Sequence, residues 1–179
     1  PDDGWVGTAG RARAIPYNTE ELSADDVPDS VMAFPDEPAL ADATGWAPTY
    51  GAFQAFVTAM RLLEGADATR SWLRGMVDAG TTEYSNEFLV SNAVADGELT
   101  AGFANHYYAL RVQAARPDAP IDLAFTSGDA GALINVAGAA RLSASRQPDL
   151  ADTFVRHLLS AEAQEFFTTR TYAYPVVEG

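Results

Sequence analysis

Residues 99–116 read LTAGFANHYYALRVQAAR. Leu99 to Ala104 is a short apolar run of strand length. Tyr108 to Arg116 carries good helix formers and stops ahead of Pro117. A buried strand that feeds a helix within a few residues is the repeating step of a layered α/β fold. The junction itself is Asn105-His106-Tyr107-Tyr108. Two adjacent tyrosines inside a strand point to opposite faces. At a strand-to-helix turn both can aim at one point, and ligands collect at the carboxyl ends of strands in open α/β folds.

Working outward, the same step recurs. Thr44 to Pro48 reads as a short strand, and Gly51 to Glu64 as a helix with Phe53, Phe56, Val57, Met60 and Leu63 on one stripe and Gly65 placed to end it. Ala68 to Ala79 is predicted helical, with Asp67 as its N-cap and Trp72, Leu73, Met76 and Val77 as its apolar face. Glu87 to Ala95 is a third helix, stopping at Asp96-Gly97. Trp5 to Asn18, Ile121 to Thr126 and Gly131 to Leu142 read as extended. Pro148 to Ser160 and Ala161 to Thr169 read as closing helices, the first with proline in its opening turn. Glu20 to Asp42, acidic and interrupted by Pro28, Pro35 and Pro38, is predicted to be a surface loop with a short helix near 25–32. The fold class is therefore α/β, a mixed sheet flanked by helices.

Composition removes several function classes. The chain has 179 residues, 25 acidic against 11 basic side chains, and a formal charge of −14. A phosphate backbone needs a basic face, so nucleic acid is excluded as a partner, and an anionic membrane surface with it. No run approaches the ~20 apolar residues of a membrane span. With no cysteine there are no disulfides, thiolate metal sites or thiol catalysis. Every basic residue is arginine, and the core is padded with alanine. Such an acidic, lysine-free surface suits high salt, where screening removes self-repulsion. P-loop, G-x-S-x-G, H-E-x-x-H and G-x-G-x-x-G signatures are missing from the sequence, so the chain does not read as an enzyme.

Two places can carry chemistry. The phenol oxygens of Tyr107 and Tyr108 are hard donors that suit a small, highly charged cation such as ferric iron, which holds them as phenolates well below the free value of about 10. The bland alternative is that both rings pack, with their hydroxyls bonded to backbone or water. The second place is Pro48-Thr49-Tyr50-Gly51-Ala52-Phe53, which opens the strongest helix. Free N–H groups at a helix start, with glycine allowing close approach, make an anion site; its bland alternative is an ordinary N-cap by Thr49.

At these residues the sequence resembles the ferric-iron-binding proteins of ABC importers, a branch of the periplasmic binding proteins. The resemblance runs through WVGTAGRARAIPYNT (5–19), GWAPTYGAFQAFVTAMRLLEG (45–65), VADGELTAGFANHYYALR (94–111), GDAGALINVAGAARL (128–142) and AEAQEFFTTRTYAYPVVEG (161–179). It implies that Tyr107 and Tyr108 are phenolate ligands to Fe3+. It also implies that Tyr50, Gly51 and Ala52, together with Asn105, hold a synergistic anion, phosphate or carbonate. The family has Ser or Thr where Tyr50 stands, so the two backbone donors carry over and the side-chain contact is left open. Some relatives add a tyrosine ligand at the position of Phe53, which cannot serve. Asn86 lies near another family asparagine. Arg11 and Arg13 lie where some relatives place a carbonate-binding arginine.

The family chain is longer, so the resemblance implies an internal fragment. Residues 14–135 correspond to a nearly complete lobe carrying the doublet. Residues 1–13 and 136–179 correspond to crossing strands and helices of an incomplete partner lobe. Those pieces are expected to rearrange, to pair between molecules in self-association, or to be partly disordered. The resemblance further implies an extracytoplasmic protein, either free or lipid-anchored, that delivers ferric iron from a cleft between two lobes to a membrane permease. The alternatives are the same fold binding thiamine, a polyamine, a phosphonate or sulfate, since tyrosines also stack on organic cations, and, further off, a carboxylate hydrolase.

Overall fold

The computed structural model describes residues 4–177. The described residues divide into two compact units, one of residues 12–133 and the other of residues 4–11 with 134–177.

The 12–133 unit is built on the second half of β1 (Trp5–Asn18). This strand pairs antiparallel with β6 (Ile121–Ala124) on one side, Tyr17 opposite Asp122. On the other side it pairs with β4 (Ala101–Gly102) and β5 (Ala104–Asn105), Tyr17 opposite Ala101 and Arg13 opposite Asn105. Next to β4, and parallel to it, runs β2 (Thr44–Trp46), which is parallel to β3 (Thr82–Glu83) in turn. The sheet is mixed.

Phe103 interrupts the predicted 99–104 strand. Successive strand residues point to opposite faces, so Ala101 and Phe103 enter one core while Gly102 faces the other. The first core is aromatic. Phe103 packs against Phe34, Phe53, Phe56 and Trp72, with ring centroids 5.0 to 6.5 Å apart. Around it lie α1 (Gly51–Leu63), with Phe53, Phe56 and Met60 buried, and α2 (Ala66–Asp78), with Trp72 and Met76 buried. The second core joins Val90, Ala93 and Val94 of α3 (Glu87–Ala95) to Ala109 and Val112 of α4 (His106–Ala115) and to Leu99 and Ile121. A Cβ on Gly102 would come within 2.3 Å of Val90 Cγ1, so only glycine lets α3 lie this close to β4.

Several expectations are corrected. Residues 20–42 form three short 3-10 turns, Ala24–Asp26, Val31–Asp36 and Pro38–Leu40, and the segment buries Val27, Val31, Phe34 and Leu40. Trp72 Nε1 donates to the Val31 carbonyl at 2.7 Å. The three prolines forbid a continuous α-helix, while the apolar spacing still supplies a face to bury. Leu63 and Val77, expected in apolar stripes, are more than half exposed. Gly65, at φ +88°, is the N-cap of α2, and Asp67 sits in that helix's first turn paired with Arg70.

In the other unit, β7 (Ile134–Ala140) pairs with the first half of β1, and Thr8 Oγ1 donates to the Ala137 carbonyl at 3.1 Å. Gly10 and Tyr174 exchange backbone hydrogen bonds of 2.8 and 2.9 Å. α5 (Pro148–Leu158) and α6 (Ala161–Thr171) follow. Gln164 of α6 is buried and donates to the Thr8 carbonyl at 2.9 Å. The terminal pieces thus pair within the chain.

Candidate metal centre

The site grows from two helix starts in the 12–133 unit. Asn105 ends β5 and is the N-cap of α4, so the tyrosine doublet lies on the first helical turn rather than in a turn ahead of it. Nothing at 106–108 resists helical backbone, and the helix begins two residues earlier than its apolar pattern indicates. Tyr50 is the N-cap of α1. N-cap side chains ordinarily bond the first-turn N–H groups. Neither Tyr50 nor Asn105 does so.

Both side chains are directed at the tyrosines instead. The Tyr50 hydroxyl lies 2.6 Å from the Tyr108 hydroxyl. Asn105 Nδ2 donates to the Tyr107 hydroxyl at 3.2 Å. The rings of Tyr107 and Tyr108 are 4.4 Å apart, tilted by 51°. Tyr107 is buried and Tyr108 half-buried. Burial pushes the Tyr108 phenol well above its usual value, and its hydrogen bonds with Tyr50 and Tyr107 push it further. A phenol that resists losing its proton to water, as Tyr108 does, can surrender it to a cation, because a metal supplies the positive charge that burial withholds.

Gly51 is exposed, and a Cβ built on it meets nothing within 4 Å. The first-turn N–H groups of an α-helix have no acceptor within the helix. Here that turn opens with exposed Gly51 and half-buried Ala52. The candidate residues Tyr50, Gly51, Ala52, Asn105, Tyr107 and Tyr108 fall within these two adjoining helix starts.

Asn86, Phe53 and Arg13 have structural work. Asn86 caps α3, its side-chain oxygen accepting from Leu89 N at 3.0 Å. Phe53 is in the aromatic core. Arg13 forms a buried ion pair with Glu87, Nη1 to Oε1 at 2.6 Å, and its guanidinium lies 5.3 Å over the Phe56 ring. Glu87 Oε2 accepts the Asn105 N–H at 2.9 Å. A carboxylate from α3 thus pins the N-cap of the tyrosine helix to β1. Glu87 escapes sequence reading, although an acidic residue opening the apolar run EFLVSNAVA is a signal for it. Arg111 escapes as well. Its guanidinium lies 5.0 Å from the Tyr107 ring centre and 5.9 Å from that of Tyr108. The spacing of three and four residues along α4 is what stacks it there.

The family described as bacterial extracellular solute-binding protein matches residues 1–179. The chain belongs to that family. Among its relatives in this family of solute-binding proteins, the major ferric iron-binding protein of Neisseria meningitidis is 35% identical over 175 residues, covering 96% of this chain and 52% of the relative. The Fe(3+)-binding periplasmic protein of Serratia marcescens is 28% identical, covering 98% and 52%. The crystal structure of iron-bound HitA from Pseudomonas aeruginosa superposes with a TM-score of 0.91 at 32% identity, covering 98% of this chain and 57% of that one. The chain spans about half the length of the relatives it matches.

Proposed function

We propose that this solute-binding chain serves an extracytoplasmic component of an ABC importer that binds ferric iron. Tyr107 and Tyr108 hold the metal as phenolates. A synergistic anion, phosphate or carbonate, lies against the start of α1 at Tyr50, Gly51 and Ala52 and within reach of Asn105. The convergence of phenol hydroxyls from α1 and α4, with the Tyr50 and Tyr108 oxygens 2.6 Å apart, carries this reading. The names of the relatives support the same cargo. The partner is a membrane permease that accepts the loaded protein, and no reaction is catalysed. Among the described residues no helix is long and apolar enough to cross a membrane.

The test is a visible titration of the full-length protein with ferric citrate. A tyrosinate-to-iron charge-transfer band is expected, and it is lost in the double variant Tyr107→Phe, Tyr108→Phe while the circular dichroism is kept. No band in the unmodified protein overturns the iron assignment and moves an organic solute to first place.

A further inference from the structure

We propose that Tyr50 is a third phenolate ligand, so that ferric iron is held here by three tyrosines and depends only weakly on an added anion. This inference rests on the ferric-binding reading above.

The argument begins with what Tyr50 does not do. It occupies the N-cap of a 13-residue helix in extended conformation, φ −80° and ψ 134°, yet its side chain gives that helix no cap. The side chain reaches instead to a residue 58 positions away, placing hydroxyl against hydroxyl at 2.6 Å. Around a small hard cation with oxygen ligands at about 2.0 Å in octahedral array, neighbouring oxygens lie about 2.8 Å apart. The Tyr50 and Tyr108 oxygens are already near that spacing. Tyr107 joins through the ring contact with Tyr108 at 4.4 Å, and its hydroxyl is steadied by Asn105 Nδ2.

Charge gives the consequence. Two phenolates leave a trivalent ion with one positive charge, which a bound anion must cancel in a site of low dielectric. Three phenolates cancel it outright. Each phenol gives up one proton as its oxygen bonds the metal, and the metal keeps its oxidation state. Arg111, stacked over the rings of Tyr107 and Tyr108, offsets the crowding of negative oxygens.

The test counts phenolates. Gallium(III) nitrilotriacetate is titrated into the full-length protein, into Tyr50→Phe and into Tyr50→Ser, and the ultraviolet difference spectrum of tyrosinate is read per metal bound. Iron affinity is measured in parallel, with and without phosphate. Three phenolates per metal in the unmodified protein, falling to two in both variants, with phosphate dependence appearing only in the variants, is the expected result. Two phenolates in all three proteins, with the same phosphate dependence throughout, overturns the third ligand and leaves the ferric reading standing. No phenolate signal in the unmodified protein overturns both. Tyr50→Ser keeps the test decisive if the phenylalanine variant folds poorly.

Discussion

The hydroxyls of Tyr50 and Tyr108, 58 positions apart in sequence, share a hydrogen bond of 2.6 Å between the N-cap of α1 and the first turn of α4. This contact ties the start of α1 to the first turn of α4 and makes one site of two helix ends. Its strength in the metal-free protein is measurable. Tyr50→Phe and Tyr108→Phe should each cost about 0.5–1.5 kcal/mol, the usual net worth of one hydrogen bond. The double variant should cost less than the two singles added, because each single already breaks the same bond. Urea unfolding of the four proteins checks this, and strict additivity would show that the two phenols are not coupled.

Behind the tyrosines stands the buried pair Arg13–Glu87, with both side chains essentially inaccessible to water. Removing one member strands the other charge, so Glu87→Gln should destabilise the protein by about 3–5 kcal/mol. Arg13→Met combined with Glu87→Leu removes both charges and leaves mainly the Asn105 N–H unpaired, a cost of about 1–3 kcal/mol. The double variant should therefore be more stable than the Glu87→Gln single. Denaturant midpoints decide it, and the reverse ranking would show that the pair is worth more than its desolvation.

What the sequence revealed and what it hid follow from the range of the forces involved. The helices over 51–63, 66–78 and 87–95 are legible because their burial repeats every three or four residues. The tyrosine doublet is legible because two hard donors stand beside each other in the chain. The buried segment 27–40 is not, because prolines and acids mask an apolar face that only tertiary packing reveals. The Tyr50–Tyr108 contact and the Arg13–Glu87–Asn105 linkage join distant positions, and no local pattern encodes such pairings. Arg111 is the intermediate case, since its spacing is local but its role depends on which face of α4 carries the site.

Metal-free stability should fall in base in a way that reports Tyr108. Its folded phenol is raised by burial first, then by its hydrogen bonds with Tyr50 and Tyr107. A group whose folded value lies above its unfolded value of about 10 contributes stability that is whole below pH 10. That contribution is lost as pH rises above 10 toward the folded value. Tyr108→Phe should flatten the decline above pH 10 and leave the neutral range parallel to the unmodified protein. Thermal melts at pH 7 to 11 read this directly; an unchanged alkaline slope in the variant would show that other groups set it.

Gly102 tests the close approach that lets α3 support the site. A methyl group there would stand 2.3 Å from Val90 Cγ1 and 3.2 Å from the Gly45 carbonyl oxygen. Gly102→Ala should cost about 1–3 kcal/mol through overpacking. Combining it with Val90→Ala should recover part of that loss, because the side chain in the way is shortened. If the double variant is no better than the single, the backbone carbonyl of Gly45 is the tighter limit.

The remaining prediction concerns salt. The chain carries a formal charge of −14, and among the described residues the ion pairs are Arg13–Glu87, Arg70–Asp67, Arg116–Asp96 and Arg141–Asp152. Most of the described carboxylates are exposed, and like charges repel over distances comparable to the screening length. That length is about 10 Å at 0.1 M salt and about 3 Å at 1 M. Repulsion should be largely removed by about 1 M, since little separation between surface charges is shorter than that. The melting temperature should rise steeply with potassium chloride up to that concentration and level off beyond it. Arginine substitutions at exposed Asp67 and Asp96 would each break an existing pair, so the sharper control is Asp118→Asn with Asp122→Asn, which removes two charges without adding any. Those variants should melt higher than the unmodified protein at 0.05 M salt and converge with it near 1 M. A melting temperature that ignores salt throughout would show that the acidic surface carries no folding penalty.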